Sequence, residues 1–240
     1  MQRVFRIILA TTSVYLLAYS FTAVGTLLAC FAAVLEWDAL LRGGSVLWAR
    51  LMFWLVGRNP RVVGSNNISP GRAYLVVSNH SSMFDVPALM AAVPGIAIMG
   101  RAYLTRIPAF GRLLKILRYV PIDASSASSA RSALRQASER IRRGTSVGIF
   151  AEGTRTADGK VQDLKRGFVS VLRESGADLL PVFVRGTWAL KPRGKNVMDP
   201  REPISVTVGA PVANATLASL DDTAIMRSVK NILVDLGGRE

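Results

Sequence analysis

Ala73-Tyr74-Leu75-Val76-Val77-Ser78 runs directly into Asn79-His80-Ser81-Ser82-Met83-Phe84-Asp85. The first half is a short apolar run that predicts a buried strand over Ala73–Ser78. The second half holds the chain's only histidine. Imidazole is the side chain suited to exchanging a proton near neutral pH, and a nearby carboxylate fixes its tautomer and steadies its charged form. Asp85 follows five positions later. Residues five apart on one α-helix are rotated by about 500° and face about 140° away from each other. His80 and Asp85 therefore meet only if a helix begins between them, with His80 in the turn and Asp85 in the first helical turn. Ser82 then falls at the N-cap, and Ser82-x-x-Asp85 also fits a capping box. Spacing alone leaves both roles open for Asp85: partner of the histidine, or cap of the helix.

Composition narrows the field. Half of the 240 residues are hydrophobic, enough for a sizeable core. Thirty Lys and Arg against 16 Asp and Glu give a net charge of +14. Such a balance favours a polyanionic partner: nucleic acid, an anionic membrane or phosphorylated substrates. Aromatic residues make up 8% of the chain, and no zinc-finger spacing, RNP-like motif or basic helix with heptads occurs. Membrane is therefore favoured over nucleic acid, and no nucleic-acid partner is expected. Cys30 is the sole cysteine, which excludes an internal disulfide. One His and one Cys do not make a usual zinc ligand set, so no metal is expected.

The N-terminal part carries the membrane signal. Ile7 to Leu35 are 29 positions without a charge, more than the roughly 20 residues a spanning helix needs. Arg3 and Arg6 precede this run; Glu36 and Asp38 follow it. A second apolar stretch, Ser45 to Val56, is interrupted by Arg50, and Trp37, Trp48 and Trp54 cluster around it. Tryptophan favours the membrane interface, and Arg42, Arg50 and Arg58 suit lipid head groups. The expectation is a two-piece helical anchor over residues 1–58, with an α/β domain over 59–240. Arginines on both sides leave the orientation open.

Asn59 to Arg72 reads as a polar connector containing Pro60, Gly64, Pro70 and Gly71. Beyond it, strands are expected at Ala73–Ser78, Ile96–Gly100, Tyr119–Ile122, Ser146–Phe150, Leu179–Val184 and Ile204–Val208. Helices are expected at Met83–Val93, Ala109–Leu117, Ser128–Arg143, Gly167–Glu174 and Asp221–Leu236. The third of these shows the periodicity best, with Ala130, Leu134, Ala137 and Ile141 on one side and Gly144 as a stop. Strands interleaved with helices predict an α/β fold, a mixed sheet flanked by helices.

Phe150-Ala151-Glu152-Gly153-Thr154-Arg155 follows one of those strands. Open α/β sheets bind ligands at the carboxyl ends of their strands. Gly153 permits a tight turn, and Arg155 offers a planar fork for phosphate oxygens. Arg101, after another strand, supplies a second cation at the same edge. Read alone, Glu152–Arg155 is equally a charged turn and Arg101 a solvated surface residue.

Together these stretches resemble the glycerophospholipid acyltransferases, in particular the 1-acyl-glycerol-3-phosphate acyltransferases. Asn79–Asp85 is similar to their histidine–aspartate motif. Arg101, Ile107-Pro108-Ala109-Phe110-Gly111 and Val120-Pro121-Ile122-Asp123 are similar to the second motif. Phe150–Arg155 is similar to the Phe-Pro-Glu-Gly-Thr-Arg motif, and Leu180-Pro181-Val182 to the short fourth one. The resemblance covers residues from about 73 to 185. The chain departs from the pattern in reading Arg101-Ala102-Tyr103-Leu104 where Lys-x-Glu-Leu is usual, Ala124 where an arginine often follows the closing aspartate, and Ala151 where proline is usual. The second-motif departures bear on the acceptor head group.

The resemblance implies transfer of a fatty acyl group from an acyl-CoA or acyl-carrier-protein thioester to the free hydroxyl of 1-acyl-glycerol-3-phosphate, giving phosphatidic acid. No cofactor is implied; the thioester is a co-substrate. His80 is expected as general base and Asp85 as its orienting partner, with Arg101, Glu152, Gly153, Thr154 and Arg155 holding the acceptor. The implied location is the inner, cytoplasmic membrane, with the catalytic domain at the cytoplasmic face. Alternatives are acylation of another lysolipid, such as lyso-ornithine lipid, and a basic membrane-binding module without catalysis.

Overall fold

The computed structural model describes residues 2–35, 37–107 and 110–238. Glu36, Pro108 and Ala109 of the expectations above lie outside them, as do the side chains of Arg3, Arg6, Asp38 and Arg42. In chain order the elements are α1 (Gln2–Val34), α2 (Asp38–Leu55), β1 (Arg61–Val63), β2 (Leu75–Ser78), α3 (Asp85–Ala92), β3 (Ala97–Arg101), α4 (Phe110–Ile116), β4 (Val120–Ile122), α5 (Ala127–Arg142), β5 (Val147–Phe150), α6 (Gly167–Ser175), β6 (Leu179–Arg185), α7 (Thr187–Leu190), β7 (Ser205–Val208), α8 (Asn214–Ala218) and α9 (Asp222–Gly238).

The sheet has the order β1-β7-β6-β2-β5-β3-β4. All neighbours pair in parallel except β6 and β7, so β1 and β7 run against the other five strands and the sheet is mixed. β2 lies at its centre, with Ser78 opposite Phe150 on one side and Val182 on the other. Side chains alternate across a strand. Tyr74 and Val76 accordingly enter the core beneath α2 and α3, while Leu75 and Val77 enter the core beneath α5, α6 and α9. All four residues are fully buried, each burial contributing on the order of 1.5–3 kcal/mol for side chains of this kind. Burial on both faces explains why this strand is a continuous apolar run and does not alternate.

Because β2, β5, β3 and β4 run parallel, the residues that follow them emerge at one sheet edge. His80 follows β2, Glu152 follows β5, and Arg101 ends β3.

The connector over Asn59–Arg72 is more structured than expected. It contains the edge strand β1 and a single 3₁₀ turn, Ser65–Asn67. Three residues between Pro60 and Gly64, partly exposed and backbone-paired to β7, are too short to leave an apolar pattern.

The N-terminal helices form a hairpin. The Trp48 indole donates to Thr22 Oγ1 across it at 3.1 Å. Thr11–Ala32 of α1 is long and apolar enough to cross a membrane, and Leu16, Leu17, Leu27, Leu28 and Phe31 are exposed along it. α2 also belongs to the globular core: Ala49 and Phe53 are fully buried with Leu89 and Ala88 of α3, and the Phe53 and Phe84 rings meet at 5.7 Å. The apolar hairpin therefore adjoins the helix that starts next to His80.

Gly186 links β6 to α7 with a φ of +84°, and a Cβ there would sit 2.1 Å from the Pro203 carbonyl oxygen. A left-handed backbone and a clash with main chain act together. Gly186→Ala should lose about 2 kcal/mol or more of stability in chemical denaturation, whereas Gly144→Ala, also at positive φ but in open space, should lose less.

Candidate active site

The site is built on the end of β2. Strand pairing stops at Ser78, but Asn79 continues it with its side chain. Its amide nitrogen donates to the Val184 carbonyl at 2.9 Å, and its amide oxygen accepts from the Val184 N–H at 2.8 Å. A primary amide carries the same donor and acceptor as a peptide group, so Asn79 locks the loop to β6 while freeing the backbone to turn.

After this turn comes His80, and α3 begins at Asp85. The two side chains meet: His80 Nδ1 lies 2.9 Å from Asp85 Oδ2. The same oxygen accepts from the Ser81 and Ser82 N–H groups at 2.5 and 2.7 Å. Its twin, Oδ1, accepts from the Thr187 hydroxyl at 2.5 Å and the Ser81 hydroxyl at 3.3 Å. Asp85 is fully buried, and a buried carboxylate persists only when its lone pairs are satisfied in this way. Pairing and capping thus coincide, but the capping box is only half made. Asp85 reaches back to the Ser82 N–H, whereas the Ser82 hydroxyl donates to the Lys191 carbonyl at 2.8 Å. Ser82 is not the expected side-chain cap: the Asp85 N–H donates to the Ser82 carbonyl at 3.4 Å, and the Ser82 hydroxyl oxygen accepts instead from the Phe84 N–H, also at 3.4 Å.

The imidazole stacks on Phe150, with ring centroids 4.1 Å apart and planes 19° from parallel. Its side chain is 18% exposed. With Nδ1 held by Asp85, Nε2 is the nitrogen left for chemistry; among the described residues it has no hydrogen-bond partner. Asp85 as acceptor places the proton on Nδ1, so Nε2 carries the lone pair of a base.

Glu152 is brought to the histidine from beneath. It is buried, and its Oε1 accepts from the His80 backbone N–H at 2.8 Å. Oε2 accepts from the Gln162 backbone and side-chain amides, both at 3.1 Å. Burial pushes its carboxyl up, opposed by these hydrogen bonds. Its oxygens are taken by the protein, so it braces the His80 loop. The Thr156 N–H adds a second tie, donating to the His80 carbonyl at 2.8 Å. Gly153 turns with a φ of +74°, and Thr154 and Arg155 follow, both partly exposed. Arg155 makes no ion pair among the described residues. Arg101 is exposed at the same sheet edge but has no hydrogen bond or ion pair to His80, Glu152 or Arg155; its carbonyl accepts from the Tyr119 hydroxyl at 3.2 Å.

Thr187 and Lys191 are the residues that sequence reasoning missed. The segment after β6 lies more than 100 positions from His80. Its one signal is Gly186, a forced turn at the carboxyl end of a strand.

The acyltransferase family model matches residues 59–185, just over half of the chain. The chain belongs to the acyltransferase family. Among its relatives, the 1-acyl-sn-glycerol-3-phosphate acyltransferase of Cocos nucifera is 27% identical over 160 residues, covering 64% of this chain and 51% of that protein. The enzyme of the same description from Borreliella burgdorferi is 30% identical over 141 residues, covering 58% and 56%. The chain spans about half the length of the curated relatives it matches. Among solved structures, the 1-acyl-sn-glycerophosphate acyltransferase PlsC from Thermotoga maritima superposes with a TM-score of 0.86, at 25% identity, over 100% of this chain and 99% of that one. The chain therefore carries His80 and Asp85 on a mixed α/β fold that it shares with that solved structure.

Two expectations follow for the acyltransferase. Thr187→Val removes a hydrogen bond to a charged carboxylate, worth on the order of 1.5–3 kcal/mol. It should lower kcat about tenfold, leave both KM values unchanged and be rescued by Thr187→Ser, as steady-state kinetics would read. Glu152, with its folded-state proton affinity raised by burial, favours the fold most at pH below the ordinary carboxylate range and loses that contribution as pH rises through its raised value. The stability of wild type relative to Glu152→Gln should accordingly decline with rising pH across mild acid, measured by denaturation at stepped pH.

Proposed function

We propose that this acyltransferase moves a fatty acyl group from a thioester, acyl-CoA or acyl-carrier protein, to the free hydroxyl of 1-acyl-glycerol-3-phosphate, giving phosphatidic acid. The single observation that carries this reading is the Nε2 of His80, without a hydrogen-bond partner among the described residues and backed through Nδ1 by a buried and saturated Asp85. A hydroxyl needs a base in order to attack, and here the hydroxyl comes with the substrate.

In the proposed step Nε2 takes the acceptor's proton as its oxygen attacks the thioester carbonyl carbon. The new C–O bond forms a tetrahedral intermediate. Its collapse breaks the C–S bond, and the leaving thiolate recovers the proton from the imidazolium. Asp85 holds the ring and offsets its transient positive charge. Phe150, stacked on the ring, limits its rotation. Neither Ser81 nor Ser82 is needed as a nucleophile: the Ser81 hydroxyl is engaged with Asp85 and Thr187, that of Ser82 with Lys191.

The acceptor is an amphiphile, and the apolar α1–α2 hairpin beside α3 suits such a substrate. In the proposal the hairpin holds the enzyme at the cytoplasmic face of the inner membrane, residues 1–58 serving as the anchor, so that the lysolipid reaches His80 without leaving the bilayer. Arg155 then meets the acceptor phosphate, a positioning contribution.

His80→Ala should abolish acyl transfer, by at least about three orders of magnitude for loss of the base, while leaving circular dichroism and membrane sedimentation unchanged. Substantial turnover by the purified variant would contradict the mechanism. A matrix of acceptors and donors, with mass detection of products, tests the substrate: 1-acyl-glycerol-3-phosphate should be preferred, and preference for a phosphate-free acceptor such as lyso-ornithine lipid would overturn it.

A further inference from the structure

Residues 186–195 cross the site as a strap that touches both of its loops. Thr187 donates to Asp85. Trp188 donates to the Ala157 carbonyl at 3.3 Å, its ring covering Gly159. The Lys191 carbonyl receives the Ser82 hydroxyl at 2.8 Å. The Arg193 guanidinium donates to the Thr154 hydroxyl at 3.2 Å. The strap thereby delivers two cations to the loop that carries Arg155.

The charge state of this corner is unbalanced. Lys191 is buried, and among the described residues its ammonium has one partner, the Lys195 carbonyl. An ammonium has three protons to donate, so two are unspent. Burial pulls its proton affinity down, and the nearby Arg155 guanidinium pulls it down further. Among the described residues, none of Arg155, Lys191 and Arg193 pairs with a carboxylate. Several cations elsewhere do pair: Arg166 and Arg173 with Asp222, Lys230 with Asp163, Arg72 with Asp178. A buried cation beside a like charge is costly unless an anion completes the group. The deficit lies at the edge where His80 works.

We infer that Lys191 and Arg193 join Arg155 as the anchor for the phosphate monoester of the acceptor, so that the strap reads the head group while Thr187 on the same strap holds the catalytic carboxylate. This rests on the acceptor named above. A dianionic monoester matches three cations, and the fork of Arg193 is already oriented by Thr154. Arg101, exposed and near Asp123, is not required for this anchor. The phosphates of a CoA donor share the same chemistry, and kinetics separate the two sources: an acceptor anchor acts on the acceptor KM, a donor anchor on the donor KM.

The test uses the full-length enzyme in detergent, with glycerol 3-phosphate as head-group probe. Thermal unfolding is followed against probe concentration for wild type, Lys191→Met, Arg193→Gln and His80→Ala. Wild type and His80→Ala should be stabilised alike. In Lys191→Met and Arg193→Gln the half-saturating concentration should rise about tenfold or more, the loss expected for one charge-assisted contact. In turnover assays both variants should raise the acceptor KM and leave the donor KM and kcat close to wild type. Lys191→Met without probe should melt no lower than wild type, because a buried like charge has gone; if it does melt lower, the exposed Arg193 variant decides. Unchanged probe binding in both variants would overturn the inference and leave the acyl transfer intact. A rise in donor KM alone would overturn it in favour of the donor's phosphates. Absence of any acyl transfer by wild type, with probe binding still weakened in both variants, would sink the proposed reaction and not the anion site.

Discussion

The interaction on which the rest depends is the saturation of one buried carboxylate. Asp85 sits without solvent contact, and a lone charge there would cost several kcal/mol. Donors from three places meet that cost: the loop backbone at Ser81 and Ser82, the imidazole of His80, and Thr187 from a segment far along the chain. Each donor fixes something. The two N–H groups fix where α3 starts. The imidazole fixes its own tautomer and ring plane. Thr187 fixes where the segment after β6 must pass. The geometry of the His80–Asp85 pair and the local fold are therefore one arrangement.

A second carboxylate works in the same way one strand over. Glu152 has its oxygens engaged by His80 and Gln162. One acid governs the imidazole through its side chain, the other through its main chain. An acidic residue beside a cationic loop invites a reading as a substrate contact; in the fold its oxygens also hold the main chain of His80 and Gln162 in place.

Much of this was legible in the sequence where the signal is local. The helix start between His80 and Asp85 follows from angular arithmetic, and β2 reads as buried because Leu75, Val76 and Val77 admit no polar position. Six strands fall at their apolar runs. What was not legible has two causes. β1 and α7 are too short for periodicity: three and four residues carry no period. Thr187 and Lys191 are non-local; each looks like an ordinary polar residue until the fold places it against Asp85 or Ser82. Gln162 lies ten positions after Glu152, and no motif marks it as that residue's partner. The role of Ser82 failed for a local reason: the Asp85 N–H that a capping hydroxyl would accept goes to the Ser82 carbonyl. Asn79 gave no sign that its amide would stand in for a peptide group.

The position of β2 carries a further consequence, for the order of events during synthesis. The hairpin of α1 and α2 leaves the ribosome before the sheet, and Thr11–Ala32 within it is long and apolar enough to cross a bilayer. The central strand then emerges with neither neighbour available, because β5 and β6 lie about 70 and 100 residues downstream. Pairings of such sequence separation close slowly. Until they close, Leu75, Val76 and Val77 form an apolar segment with nothing to cover them. If α1 engages a bilayer as it emerges, the chain is kept apart from other nascent chains until the residues around Thr187 arrive and the site can assemble.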